Sequence, residues 1–152
     1  MTNAGAILFA GIFAGCLDLI ATTTLVRARG IPFQKLLQTI ASGALGPSAY
    51  KHGARSAALG LFFHFFIASA AATLYFFIAS RYLTILIDHP YSSGVLFGIA
   101  IHLFMTFVVI PLSAAPRPFS AKPFLSQLVI HILFVGLPIA LTVHHFLVTW
   151  RL

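Results

Sequence analysis

The chain has little charge and almost no acid. Only 7% of its 152 residues are charged, and with no glutamate anywhere the acidic residues are Asp18 and Asp88 alone. A soluble domain carries roughly a quarter charged residues, so an ordinary soluble fold is excluded. Disorder is excluded as well, because disordered chains combine low hydrophobicity with high charge, whereas 60% of these residues are hydrophobic and phenylalanine occurs 16 times. The single cysteine, Cys16, cannot form an internal disulfide, and it lies in an apolar run where a thiol behaves as a small buried side chain. There is no nucleophile elbow, zinc-protease helix motif or phosphate-binding loop, and one acid among the apolar stretches leaves no carboxylate pair for acid–base work. A non-enzymatic protein is expected. No Lys or Arg precedes Arg27, so the basic leader of a signal peptide is missing and the first apolar stretch is expected to be a retained helix.

What is present is apolar length. Mean hydropathy is +1.02, and since about 20 apolar residues cross a bilayer core the chain accommodates four spans, expected over residues 5–26, 57–80, 94–112 and 124–150 of a single membrane domain spanning 1–152. The expected fold is therefore an all-α polytopic bundle. Between the first two spans, Phe33, Leu36, Leu37, Ile40 and Ala44 recur at helical spacing opposite Gln34, Lys35, Gln38 and Ser42, which predicts an amphipathic interfacial helix over 32–45. Pro32 suits its start and Gly46-Pro47 its end. Residues 81–93 and 113–123, rich in Pro and polar groups, are expected to be tight exposed loops.

Nine Lys and Arg give a net charge of +7. In a soluble protein that would suggest nucleic acid, but in a membrane chain basic residues report orientation and contact with anionic lipid head groups. Arg27, Arg29, Lys35, Lys51 and Arg55 follow the first span, and Arg117 and Lys122 follow the third, against Arg81 and Arg151 on the other side. The positive-inside rule then puts both connections in the cytoplasm and both termini outside, with Trp150 and Arg151 as an interfacial anchor.

Ionisable groups within spans are costly and usually face the protein interior. At about 1.5 Å per residue from the basic side, Asp18 lies about 12 Å deep, His64 and His131 about 10 Å, and His102 about 15 Å, so the four spans put polar groups into one layer. Asp18 shares a helix face with Gly11, His64 with Gly60, and His102 with Gly98, and Gly11 with Gly15 and Gly94 with Gly98 form small-residue steps; such small faces are where membrane helices meet. On the fourth span Gln127, His131, Pro138, Thr142 and His145 form a polar stripe, and Pro138 should kink the helix. Three readings of the layer are open: hydrogen bonding that fixes helix register in a scaffold or accessory subunit, a proton, cation or small-solute path in an oligomeric transporter or channel, and a haem or metal site through His64 and His131. No cofactor is required by the sequence. A zinc site from His89, His144 and His145 near Asp88 is a further candidate, with spacing that fits no standard motif. The narrowness of a four-helix bundle points to a homo-oligomer or a partner membrane protein.

The segments KLLQTIASGALG, LGLFFHFF, VVIPLSAAPRP and VGLPIAL together resemble the YagU-like small bacterial inner-membrane proteins, over most of the chain from about Asp18 onward. The resemblance implies a bacterial inner-membrane location and several membrane helices. It brings no molecular activity and no residue roles. The positions it singles out are Asp18, His64, His102, Pro111, His131 and Pro138.

Overall fold

The computed structural model describes residues 2–116 and 120–149; Arg117, Trp150 and Arg151 lie outside them. Every regular element among these residues is helical. Helix α1 (Asn3–Arg27) starts where the Thr2 hydroxyl accepts the Gly5 amide at 3.3 Å, and it is followed by a turn in which Gly30 takes φ +76°. Helix α2 (Phe33–Leu45) follows Pro32 and stops at Gly46, whose φ of +60° no side-chain-bearing residue adopts readily. After a short 3₁₀ turn (Gly46–Lys51) come α3 (Gly53–Arg81), the single turn α4 (Ile85–Asp88), α5 (Pro90–Leu112) and α6 (Ala121–Thr149).

Helices α1, α3, α5 and α6 are long and apolar enough to cross a membrane. Their outer surface carries a belt of large apolar side chains, including Ile20, Phe62, Phe66, Leu96, Phe107 and Leu125, each more than half exposed. A belt of that extent is untenable in water and compatible with a small membrane protein. The two connections differ from the loops expected of them. Pro90 occupies the first turn of α5, where its missing N–H costs nothing, and the apolar run Ile85-Leu86-Ile87 folds into α4 because Ile87 finds a buried site, 4% exposed. Pro123 likewise belongs to the first turn of α6, leaving a shorter loop.

Both proline-bearing spans widen into a π-helical turn just before the proline, over Met105–Val109 ahead of Pro111 and over His131–Gly136 ahead of Pro138. Proline cannot donate to the carbonyl four residues back and crowds it; in an apolar setting a local π turn re-satisfies the freed groups. At Pro138, where the sequence leads one to expect a kink, the helix carries this π turn.

The predicted packing glycines lie at close helix contacts, Gly11, Gly60, Gly94 and Gly98 against backbone and Gly15 against side chains. A Cβ on Gly11 would fall 2.6 Å from the Ser69 Cα, one on Gly15 3.0 Å from the Phe65 ring, and one on Gly60 would overlap the Leu37 carbonyl of α2. On α5, a Cβ on Gly94 would lie 2.9 Å from the Leu137 Cα and one on Gly98 2.6 Å from the Ile132 Cα. Gly136 on α6, not singled out in the sequence, completes that seam by facing Gly94 and Gly98.

The packed core occupies one half of the bundle. Ala10 and Ala14 of α1, Ala72, Tyr75 and Ala79 of α3, and Ile139, Ala140 and Val143 of α6 are buried there. The Tyr75 hydroxyl donates to the Leu86 carbonyl at 3.1 Å and His144 Nδ1 to the Ile87 carbonyl at 2.6 Å, so α4 is pinned across this far end. The opposite, basic end gathers the end of α1, all of α2, the start of α3 and the loop between α5 and α6. Arg29 donates to Ser126 at 3.2 Å and the Ala114 amide to the Gly43 carbonyl at 2.9 Å.

Helix α2 does not use the face that its sequence pattern suggests. Gln38 and Ser42, placed on its polar side by periodicity, are buried together with Leu37 and Ala41, while Phe33 is exposed. The physical reason is the partner: Gly60 brings α3 against the α2 backbone, and Gln38 Nε2 donates to the Gly53 carbonyl at 3.0 Å and approaches Ser56, whose own hydroxyl donates to the Ala49 carbonyl at 2.6 Å.

Candidate functional site: a polar cluster at the floor of a cavity

Near mid-bundle, where the packed half ends, polar side chains from α1, α3 and α6 converge. Asp18 is 9% exposed, and its Oδ2 lies 3.9 Å from His64 Nδ1. Gln127 Nε2 donates to Thr22 Oγ1 at 3.1 Å and reaches Asp18 Oδ1 at 3.4 Å. His64 Nε2 donates to the Gly15 carbonyl at 2.8 Å, and His131 Nδ1 donates to the carbonyl of Gln127, one helical turn back, at 2.8 Å. A carbonyl only accepts, so these two bonds fix which ring nitrogen carries hydrogen. The other nitrogen of each neutral ring is an acceptor. On His64 that acceptor is the atom facing Asp18, so a proton placed between them would turn two opposed acceptors into a charge-assisted contact.

His102 joins the cluster from α5 through tilted ring contacts. Its ring lies 5.1 Å from that of His131 and 4.7 Å from that of Phe124, at 3% exposure. Among the described residues its Nε2 has no hydrogen-bond partner. The structure groups Asp18, His64 and His131 with Gln127, while His102, expected in the same layer, sits against the ring of His131.

The cluster floors a cavity of about 480 Å³ that occupies the basic half of the bundle. Asp18, Thr22, His64, Gln127 and His131 line it, and His102 does not. Its walls are Ile67 and Ala71 of α3 and Ile101, Met105 and Val109 of α5; Thr39 and Ile40 of α2 cover it towards the basic end. Helices α3 and α5 meet through the rings of Tyr75 and Phe97, 4.9 Å apart, and face each other across the cavity.

The polar stripe expected along the fourth span is interrupted. Gln127 and His131 face the cavity, but Pro138 is buried in the packed half, Thr142 is half-buried and His145 is exposed beside Phe146. The π turn inserts a residue between the two parts of the helix, so offsets counted at 3.6 residues per turn no longer keep one face. At the far end His144 is engaged by α4 while His89 and His145 are exposed, and among the described residues no three His, Cys, Asp or Glu side chains group closely enough to hold a metal ion. The zinc site suggested by His89, His144 and His145 is not assembled. Arg27, Arg29, Lys35, Lys51 and Arg55 are all exposed at the basic end.

Thr22 is the member of the cluster that sequence reasoning missed. Comparison of the chain with family models, with curated proteins and with solved structures finds no match.

Proposed function

We propose that this chain is a small multi-pass membrane protein that acts as a non-enzymatic helical module, an accessory subunit or scaffold, with the Asp18, His64, Gln127 and His131 cluster holding its helices in register. The observation that carries this reading is how the polar groups are spent. His64 is bonded to the α1 backbone, and Gln127 ties α6 to Asp18 and Thr22 of α1. In an apolar medium an unspent polar group is costly, so such bonds select one packing. The exposed basic residues at one end support a cytoplasmic position for that end, α2 lying on an anionic leaflet, and outward-facing termini. The YagU-like resemblance supports the inner membrane of a bacterium.

A transporter or channel assembled from several copies is the second reading, and the cavity reaching Asp18 from the basic end favours it. Within one chain the far half is filled by Tyr75, Ile139 and Val143, so a path through a single bundle ends at the cluster. Reconstitution decides between the two. The module reading expects no proton or cation flux in liposomes, and partner proteins or further copies in the mass of the particle purified in mild detergent. Flux that Asp18→Asn abolishes while helicity is retained would overturn it.

A further inference from the structure

The cavity has a divided chemistry that specifies what could fill it. Its volume, about 480 Å³, falls in the range of roughly 300–1,000 Å³ typical of small-molecule pockets. The walls are aliphatic, from Leu19, Ile40, Ile67, Ile101, Met105 and Val109. The floor is rich in acceptors. Asp18 is the one carboxyl group that lines it, and the N–H groups of neutral His64 and His131 are already bonded to the carbonyls of Gly15 and Gln127, which leaves each ring an acceptor nitrogen. No lysine or arginine among the described residues lines the cavity. The basic side chains stay outside it, at the end of the bundle.

Three classes of amphipathic occupant can be weighed against this inventory. An anionic head would meet the Asp18 carboxylate with no fixed cation to offset it. A neutral alkyl chain would fill the walls and bring the carboxylate no donor, and an alcohol would bring it a single O–H donor and no opposite charge. A primary ammonium carries three N–H donors and no acceptor, which matches the carboxylate and the imidazole nitrogens in both charge and hydrogen-bond sense. We propose that the cavity is a binding site for an amphipathic amine, with its ammonium group at Asp18 and its apolar tail between α3 and α5. This goes beyond the module reading and does not rest on it, since occupancy is measured without transport.

Equilibrium dialysis of radiolabelled dodecylamine against the full chain in phosphatidylcholine nanodiscs, with empty nanodiscs as blank, tests the assignment. The expected result is saturable binding of one amine per chain above the blank, with dodecanol and dodecanoate competing at least roughly tenfold more weakly. Asp18→Asn keeps the side-chain shape and an acceptor for Gln127, and should weaken the amine by roughly 10- to 100-fold, the range for a hydrogen bond to a charged group. Val109→Trp, at a half-exposed position on the cavity wall, should block binding by filling the space with the floor intact. Circular dichroism and elution volume establish that both variants remain folded. Absence of saturable binding overturns the proposal. So does equal competition by the alcohol or the acid, or wild-type affinity in a folded Asp18→Asn protein.

Discussion

Replacing Gly98 by alanine tests whether the seam between α5 and α6 is set by backbone contact. The added Cβ would lie 2.6 Å from the Ile132 Cα and 2.7 Å from the His131 carbonyl oxygen. Carbon atoms in contact settle at about 3.5–4.0 Å, so the two helices must part by about 0.9 Å or more at this point. Nothing near can rotate aside, since the obstructing atoms are backbone of the π turn itself. Gly94 and Gly136 belong to the same seam, so separation at Gly98 also loosens their contacts. Overpacking costs about 1–3 kcal/mol, and with no side chain to yield the expected loss is about 2–3 kcal/mol. Gly43 supplies the control, because its Cβ would meet only the Ser113 Cβ at 3.9 Å; Gly43→Ala should be neutral or stabilising by up to about 1 kcal/mol through helix propensity. Reversible unfolding in mixed micelles, followed by far-ultraviolet circular dichroism against the mole fraction of dodecyl sulfate, reads both variants. A Gly98→Ala protein within about 0.5 kcal/mol of wild type, the size of an ordinary surface change, would refute the close-contact argument.

Further outcomes follow from other contacts. His144→Ala removes the donor to the Ile87 carbonyl and should cost about 1–2 kcal/mol, with faster amide exchange at residues 82–89 than elsewhere; unchanged exchange there would mean that α4 is held without it. Cys16 is exposed on the outer surface of α1, so in native membranes it should resist a water-soluble maleimide that needs thiolate, and react only after detergent extraction; rapid labelling in intact vesicles would contradict burial in lipid. Neutralising Arg27, Arg29, Lys35, Lys51 and Arg55 together should weaken the preference for anionic over zwitterionic lipid by about 1 kcal/mol per charge, as measured by the lipid retained on the purified protein. Equal lipid profiles would show that these side chains do not touch head groups.

The spans and their contact glycines were legible because each depends on a property that the residues carry themselves. A predominantly apolar helix of 25 residues such as α1 needs no context, and Gly11 or Gly98 marks a close approach through what it lacks. Asp18, His64 and His131 were found for a related reason: few other places in a bundle can take them. Thr22 and Thr24 show where this stops. The two are the same residue type on one helix, yet Thr24 turns its hydroxyl back to the Ile20 carbonyl at 2.8 Å while Thr22 pairs with Gln127, 105 positions away. Nothing local separates these outcomes. Helix α2 illustrates the same limit, since Gln38 and Ser42 are polar by periodicity and buried only because α3 offers Gly60 and the Gly53 carbonyl. The π turns escaped because the residue count per turn was assumed and not read.

That extra residue in α6 makes the distance along the chain between cluster and core a matter of counting. Each residue advances a helix by about 100°. Deleting one position within His131–Gly136, Leu133 for example, removes the extra residue and lets the segment rewind to an ordinary α-helix with both flanks in their present phase; rewinding it at full length instead turns one flank by that angle against the other. Gly136, Ile139 and Val143 are locked against α5 and the core, so the turn would fall on Gln127 and His131, which would swing from the cavity towards the lipid belt. The cluster and the packed half are therefore held in phase by an irregularity, and a regular α-helix of the same length would separate them without altering a single side chain of either.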